Sequence, residues 1–327
     1  MSFAQDKGIQ MNTKLKVVTV TLNPALDLTG SLDVLEKGAV NQLDTSNLHP
    51  AGKGINVAKV LAELGAQVTV TGLLGDNNQA PFVQLFNALN IIDEFIRVEG
   101  ASRINVKIVE KSGQVSDLNF PGLSINQAQL KQFEQTLFNL AKSHDLFVIA
   151  GSLPRGVSAQ QLERWISALQ KQGKKVLFDS SNQALISGIK ANPYLIKPNN
   201  DELGAVIGKR LNDTAEIAQA AEKLHQQGCE NIVISLGEKG VLWLNQAGWM
   251  QSTSPKMNIV STVGAGDTLV AGLCWSLLNQ WSKDKSLRFS TALAALAVSQ
   301  TGVGVENKQQ VETLQKEVQI TTKLANI

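Results

Sequence analysis

Apolar and polar positions along the chain follow two rhythms. The commoner one pairs a short apolar run with a helical stripe. Residues 17–22 read as a strand; Ile55, Ala58, Leu61 and Leu64 then share one helical face, and Gly65 is placed to cap that helix. Residues 68–73 return as a strand. Leu130, Phe133, Leu137 and Leu140 mark a helix before a strand at 146–150, and Leu162, Trp165, Ile166 and Leu169 mark another before 176–179. Further strands are expected at 194–197 and 232–235. Such alternation predicts an α/β architecture, a mainly parallel sheet flanked by helices.

The second rhythm has period two. It covers residues 26–34 and, more clearly, 104–120, where Ile104, Val106 and Ile108 interleave with Asn105 and Lys107. Lys111, Ser112 and Gly113 supply a turn between two such strands. A half-exposed antiparallel sheet is expected from them, forming a small lid inserted discontinuously, near 26–48 and 97–120, into one large domain spanning 13–327. Residues 1–12 are polar and lack a hydrophobic signal core. They are expected to form a disordered extension, with Met11 as an alternative start.

Composition narrows the class. With 327 residues, 43% of them apolar, the chain can bury a large core, roughly 75% of its unfolded surface at this size. Thirty basic against 28 acidic side chains give a net charge of +2, which offers no basis for a nucleic-acid partner. The longest apolar stretches, such as 269–278, fall short of the ~20 residues a membrane helix needs, so no membrane association is expected. Cys229 and Cys274 can build no disulfide framework, and His49, His144 and His225 form no zinc motif. A reducing, cytoplasmic setting follows as the expectation.

Four segments could carry chemistry. Thr262, Val263, Gly264, Ala265, Gly266 and Asp267 open an apolar helical run; small residues there let backbone amides approach an anion, aided by the helix dipole. That dipole is expected to keep Asp267 ionised and therefore a weak base; the alternative is an ordinary Asp cap. A second cluster, Gly52, Lys53, Gly54, Ile55 and Asn56, also opens a helix. It is no Walker A loop, because Asn47 stands at the first glycine and Gly54 follows the lysine, and Val57 breaks the dinucleotide fingerprint. The third segment runs from Lys197 through Asn199 to Glu202 after a strand; Asn199 and Glu202 could share a helix face toward a hydrated Mg²⁺ or merely form a capping box. The fourth, Ser235 to Gly240, has glycines at 237 and 240 around Glu238, suited to a phosphate loop or a hairpin turn. Asp27 and Arg103 are single charges that in isolation read as solvated.

In this order and spacing, the segments LNPALD, AGKGINVA, RINVK, GSLP, KPNNDEL, SLGEKG and STVGAGD resemble the PfkB (ribokinase-like) family of carbohydrate kinases, over nearly the whole chain from about Lys14. The resemblance implies a three-layer α/β/α domain with an inserted β lid, ATP and Mg²⁺ as cofactors, and a homodimer paired through the lid. The spelling is most similar to the branch that phosphorylates fructose 1-phosphate at its 6-hydroxyl; tagatose 6-phosphate kinases are close relatives, and a non-catalytic sugar-phosphate sensor is the alternative from another class. By resemblance Asp267 is the catalytic base, and Gly264, Ala265 and Gly266 form the anion hole. Asp27, Gly52, Lys53 and Asn56 fall at the sugar, and Lys53, Arg103 and Ser152 are candidates for its existing phosphate. Lys197, Asn199, Ser235, Gly237, Glu238, Gly240 and Gly266 fall at ATP, and Glu202 reaches the metal through water.

Overall fold

The computed structural model describes residues 16–45, 48–300, 302–305 and 307–322, so the expected extension at 1–12 lies outside the described residues. The chain begins with β1 (Val17–Thr21), all of it buried, and turns at Asn23 and Pro24 into β2 (Ala25–Leu32). Two short strands follow, β3 (Asp44–Thr45) and β4 (His49–Ala51). Helix α1 (Lys53–Leu64) buries Ile55, Ala58 and Leu61 and stops at Gly65, whose φ of 103° a residue with a side chain rarely adopts. Next come β5 (Val68–Gly75), α2 (Ala80–Ala88), β6 (Ile92–Val98), β7 (Arg103–Glu110) and β8 (Val115–Asn119).

Two helices with reciprocal capping boxes then alternate with strands: α3 (Gln127–Leu140), β9 (Leu146–Ala150), α4 (Ala159–Lys171) and β10 (Lys175–Asp179). The alternation continues through α5 (Asn182–Ile189), β11 (Leu195–Ile196), α6 (Asn200–Ile207), α7 (Thr214–Gln226) and β12 (Asn231–Ser235). A meander, β13 (Val241–Asn245) and β14 (Gly248–Ser252), leads to α8 (Ala265–Leu278), α9 (Lys283–Val298), α10 (Lys308–Glu317) and β15 (Ile320–Thr321).

The large sheet runs β15-β14-β13-β12-β11-β10-β9-β1-β5-β6, parallel from β12 to β6 and antiparallel at the β13 to β15 edge. Because side chains alternate faces along each strand, β9 sends Val148 to one core and Phe147 and Ile149 to the other. One core lies under α1, α2, α8, α9 and α10; the other, centred on Phe133 edge-on to Trp165, lies under α3 to α7. This is the expected layered α/β arrangement. The chain order reverses at β1, with β5 and β6 on one side and β9 and β10 on the other, which opens a crevice at the strands' carboxyl ends.

The second, small sheet holds β3, β2, β7 and β8, with β4 also on β2. The expectation of an antiparallel sheet is corrected here. Its central pair, β2 and β7, is parallel from Ala25 against Arg103 to Leu32 against Glu110, and only the outer pairings are antiparallel. Period-two alternation reports a one-sided sheet and carries no information on strand direction. The strand expected at 194–197 is also shorter, only Leu195–Ile196.

Gly54 lets α1 lie directly on β1. A Cβ there would stand 2.8 Å from the Val20 carbonyl oxygen and closer still to the Thr21 hydroxyl. Gly54→Ala should therefore destabilise the protein by about 1–3 kcal/mol, read by urea unfolding. A loss below ~0.5 kcal/mol, within the range of ordinary surface substitutions, would mean that helix and strand separate freely.

Candidate active site

Several predicted residues sit at carboxyl ends of parallel strands. Ser152 follows β9, Lys197 and Asn199 follow β11, and Ser235 ends β12; Asn23, not among the predicted residues, follows β1. A residue the motif reading passed over, Asp179, ends β10 and is 1% exposed. Its Oδ1 pairs with Lys53 Nζ at 3.1 Å and Lys197 Nζ at 3.5 Å, while its Oδ2 is buried with no hydrogen-bond partner. Lys53 also stands 4.0 Å from Glu202 Oε1. Thus Lys53, Lys197, Glu202 and Asp179 form one cluster. The signal for Asp179 was a lone carboxylate closing an otherwise apolar strand.

Asp267 lies in the first turn of α8 and accepts 2.7 Å from Asn56 Nδ2 of α1 through Oδ2. Gly264 caps α8 at φ 79° with no side-chain cap, and a Cβ on it would strike Val303. A Cβ on Gly266 would approach Lys197 Nζ to 3.4 Å. The open amide end of α8 therefore faces the lysine cluster. Gly52, at φ 124°, likewise leaves the start of α1 without a side-chain cap. Both helix N-termini present free N–H groups to the same region.

The capping box suggested for the third segment does form: Asn199 Oδ1 accepts from Glu202 N at 2.8 Å, and Glu202 Oε2 accepts from Asn199 N at 2.9 Å. The cap uses one carboxylate oxygen and leaves Oε1 toward Lys53. Asn199 and Ser235 bridge neighbouring strand ends, and with Gly237 they line a cavity of about 510 Å³. Glu238 is exposed on the turn, and Gly240, at φ 94°, closes a hairpin against the Ser252 carbonyl. The hairpin turn expected for this segment as one alternative forms.

Asp27 and Arg103 lie on the neighbouring strands β2 and β7, and Ser152 accepts from Asn23 Nδ2 at 3.1 Å. Asp27 accepts from Asn105 Nδ2 at 2.8 Å and Lys107 Nζ at 3.1 Å, across the parallel β2–β7 pair. Arg103 Nη1 donates to the Phe120 carbonyl at 3.4 Å, and its buried Nε has no partner. Burial lowers the Arg103 guanidinium somewhat, opposed by Asp27. Lys53, grouped by sequence with Arg103, is instead engaged by the carboxylates.

The expectation of a weakly basic Asp267 is corrected. Burial raises its pKa from 3.8 to about 6, Asp179 adds to the rise, and Lys53, Asn56 and Lys197 only partly oppose it. Helix-dipole stabilisation does not offset loss of solvation here. Burial pulls the Lys53 ammonium down, but Asp179, Asp267 and Glu202 outweigh it and hold it above an ordinary lysine. Between 3.8 and about 6 the folded protein holds a proton on Asp267 that the unfolded chain has released, so stability falls as pH rises through that window. Asp267→Asn should therefore be more stable than the parent at pH 8 by on the order of 2 kcal/mol, with the difference gone near pH 4. Urea titrations at both pH values check this; equal stabilities at pH 8 would contradict it.

Comparison with known proteins gives the chain's relatives. The model of the pfkB family carbohydrate kinases covers residues 17–310. The 1-phosphofructokinase of Vibrio cholerae is 56% identical over 306 residues, 94% of this chain and 96% of that one. The 1-phosphofructokinase of Escherichia coli K12 is 45% identical over 305 residues, 93% and 98% of the two chains. Among solved structures, phosphofructokinase-2 from Escherichia coli in complex with substrates and products superposes with a TM-score of 0.84 at 28% identity, covering 93% of this chain and 99% of that one. With its fold, glycine-opened helices and matched span in agreement, this chain belongs to the pfkB family of carbohydrate kinases.

Proposed function

We propose that the chain is an ATP-dependent 1-phosphofructokinase, transferring the γ-phosphoryl group of ATP to the 6-hydroxyl of fructose 1-phosphate to give fructose 1,6-bisphosphate and ADP. The observation that carries this reading is Asp267: buried, held by Asn56 through one oxygen, and set at an uncapped helix N-terminus facing two lysines. The relatives named 1-phosphofructokinase, 45 and 56% identical, support the choice of sugar.

Asp267 accepts the 6-hydroxyl proton through Oδ1, which among the described residues makes no hydrogen bond. A pKa of about 6 leaves it largely ionised at neutral pH yet more basic than an exposed carboxylate. The amides of Gly264, Ala265 and Gly266 receive the transferring group, and Lys53 offsets the charge that spreads over its oxygens. Lys197, Asn199, Ser235 and the 237–240 turn, with Glu238, hold the nucleotide phosphates. Asp27, Gly52 and Asn56 orient the sugar, and Arg103 and Ser152 take its 1-phosphate; both Asp27 oxygens retain lone pairs for hydroxyls beside Asn105 and Lys107.

The residues present fit Mg²⁺: Glu202 Oε1, the carboxylate oxygen that the capping box leaves unused, would reach a hydrated cation through water. When bound, Mg²⁺ neutralises charge on the phosphate oxygens. The small sheet serves as the lid that excludes water. Val115, Leu118 and Phe120, each at least half exposed on or just beyond its edge strand β8, are the surface through which two copies would pair. Both cysteines are free and buried, compatible with the cytoplasm, and no helix among the described residues is long and apolar enough to cross a membrane.

ADP release measured on fructose 1-phosphate and tagatose 6-phosphate tests the reading; a clear preference for the second would overturn the substrate. Asp267→Asn should keep ATP binding and lose turnover by about 10²–10⁴-fold, and near-parental turnover would sink the mechanism. Leu118→Glu should shift sedimentation from dimer to monomer, whereas an unchanged dimer would place the interface elsewhere.

A further inference from the structure

Asn23 is 8% exposed and bridges three segments that sequence keeps far apart. Its Nδ2 donates to Ser152 Oγ at 3.1 Å and lies 3.5 Å from the Pro121 carbonyl oxygen. Its Oδ1 lies against Gly122, where a Cβ would collide with it, and Gly122 holds φ 85°. Arg103 Cδ would lie 3.5 Å from that same Cβ. The chain leaving β8 thus packs at Gly122 against both Asn23 and Arg103.

Two donors beside this junction are unspent. Arg103 Nε is buried without an acceptor, and the Ser152 hydroxyl donates to no acceptor among the described residues. A serine hydroxyl has one proton and two lone pairs. With one lone pair taken by the Asn23 amide, its proton is left to point at an incoming acceptor. We infer that Asn23 is a positioning residue for the sugar substrate's existing phosphate: its amide occupies one lone pair of Ser152 and leaves the hydroxyl proton for that phosphate. This rests on the kinase reading above, but only on the substrate carrying a phosphate, whichever sugar bears it.

Asn23→Asp replaces the donor by an acceptor of the same shape, which would draw the Ser152 proton inward and set a negative charge beside the phosphate. With the better of fructose 1-phosphate and tagatose 6-phosphate as substrate, the KM for the sugar should rise on the order of 30-fold. The KM for ATP should stay within about twofold. A merely structural role would move both constants together. Asn23→Ala, which introduces no charge, serves if the aspartate variant fails to fold: combined with Ser152→Ala it should add less than about twofold to the sugar KM of Ser152→Ala alone, because both act through one hydroxyl. Additive effects, an unchanged sugar KM, or a parallel rise for ATP would overturn the inference. A preference for tagatose 6-phosphate would overturn the proposed function alone, and absence of turnover on both sugars would overturn the two together.

Discussion

The site depends on a carboxylate that cannot reach water. Asp179, at the end of β10, holds Lys53 from the start of α1 and Lys197 from the end of β11 on one oxygen. Two ammonium groups converge there because a buried negative charge demands partners. Burial, and then that same charge, resist ionisation of Asp267 and hold it above an ordinary carboxylate. In the proposed reaction one carboxylate arranges cations and the other moves a proton, and their differing environments separate those tasks.

That arrangement explains why so many approaches in the centre are glycine. Gly54 brings α1 onto β1, and α1 carries Asn56 to Asp267. Gly266 leaves Lys197 room at the mouth of α8, and Gly264 turns the chain into α8 under Val303. Helix ends without side-chain caps are ordinarily a cost to stability, since their first amides lack partners. Here the uncapped starts of α1 and α8 face one another's chemistry, while α6 at the same crevice carries the full Asn199–Glu202 capping box.

Much of this was legible in the sequence. Helical spacing placed α1, α3 and α4, apolar runs placed β1, β5, β9, β10 and β12, and the glycine-rich segments marked both uncapped helix starts. Motif order identified the family before any coordinates, as the family match bears out. Pairing was not legible: the alternation of Ile104, Val106 and Ile108 is the same for a parallel as for an antiparallel neighbour, so β2 against β7 could not be oriented. Asp179 was hidden for a related reason. A single Asp ending a strand has no spacing signature, and its importance appears only when β9, β10 and β11 lie side by side. The basicity of Asp267 exceeds what its sequence position suggests, because a helix dipole can be read from sequence while the depth of burial opposing it cannot.

The parallel pairing of β2 with β7 has its own mechanical consequence. A parallel pair needs a crossover, and here it runs through α1, β5, α2 and β6 of the large domain. The small sheet is therefore joined to the body at four places: residues 22–24 after β1, Gly52 before α1, 99–102 after β6 and 120–126 after β8. Asn23 touches two of these attachments, since it belongs to the first and contacts the last. Motion of the small sheet relative to the large one bends all four. In the proposed reaction, closure over the sugar and formation of the phosphate pocket would then be one event, because the residue that holds Ser152 also holds the returning strand.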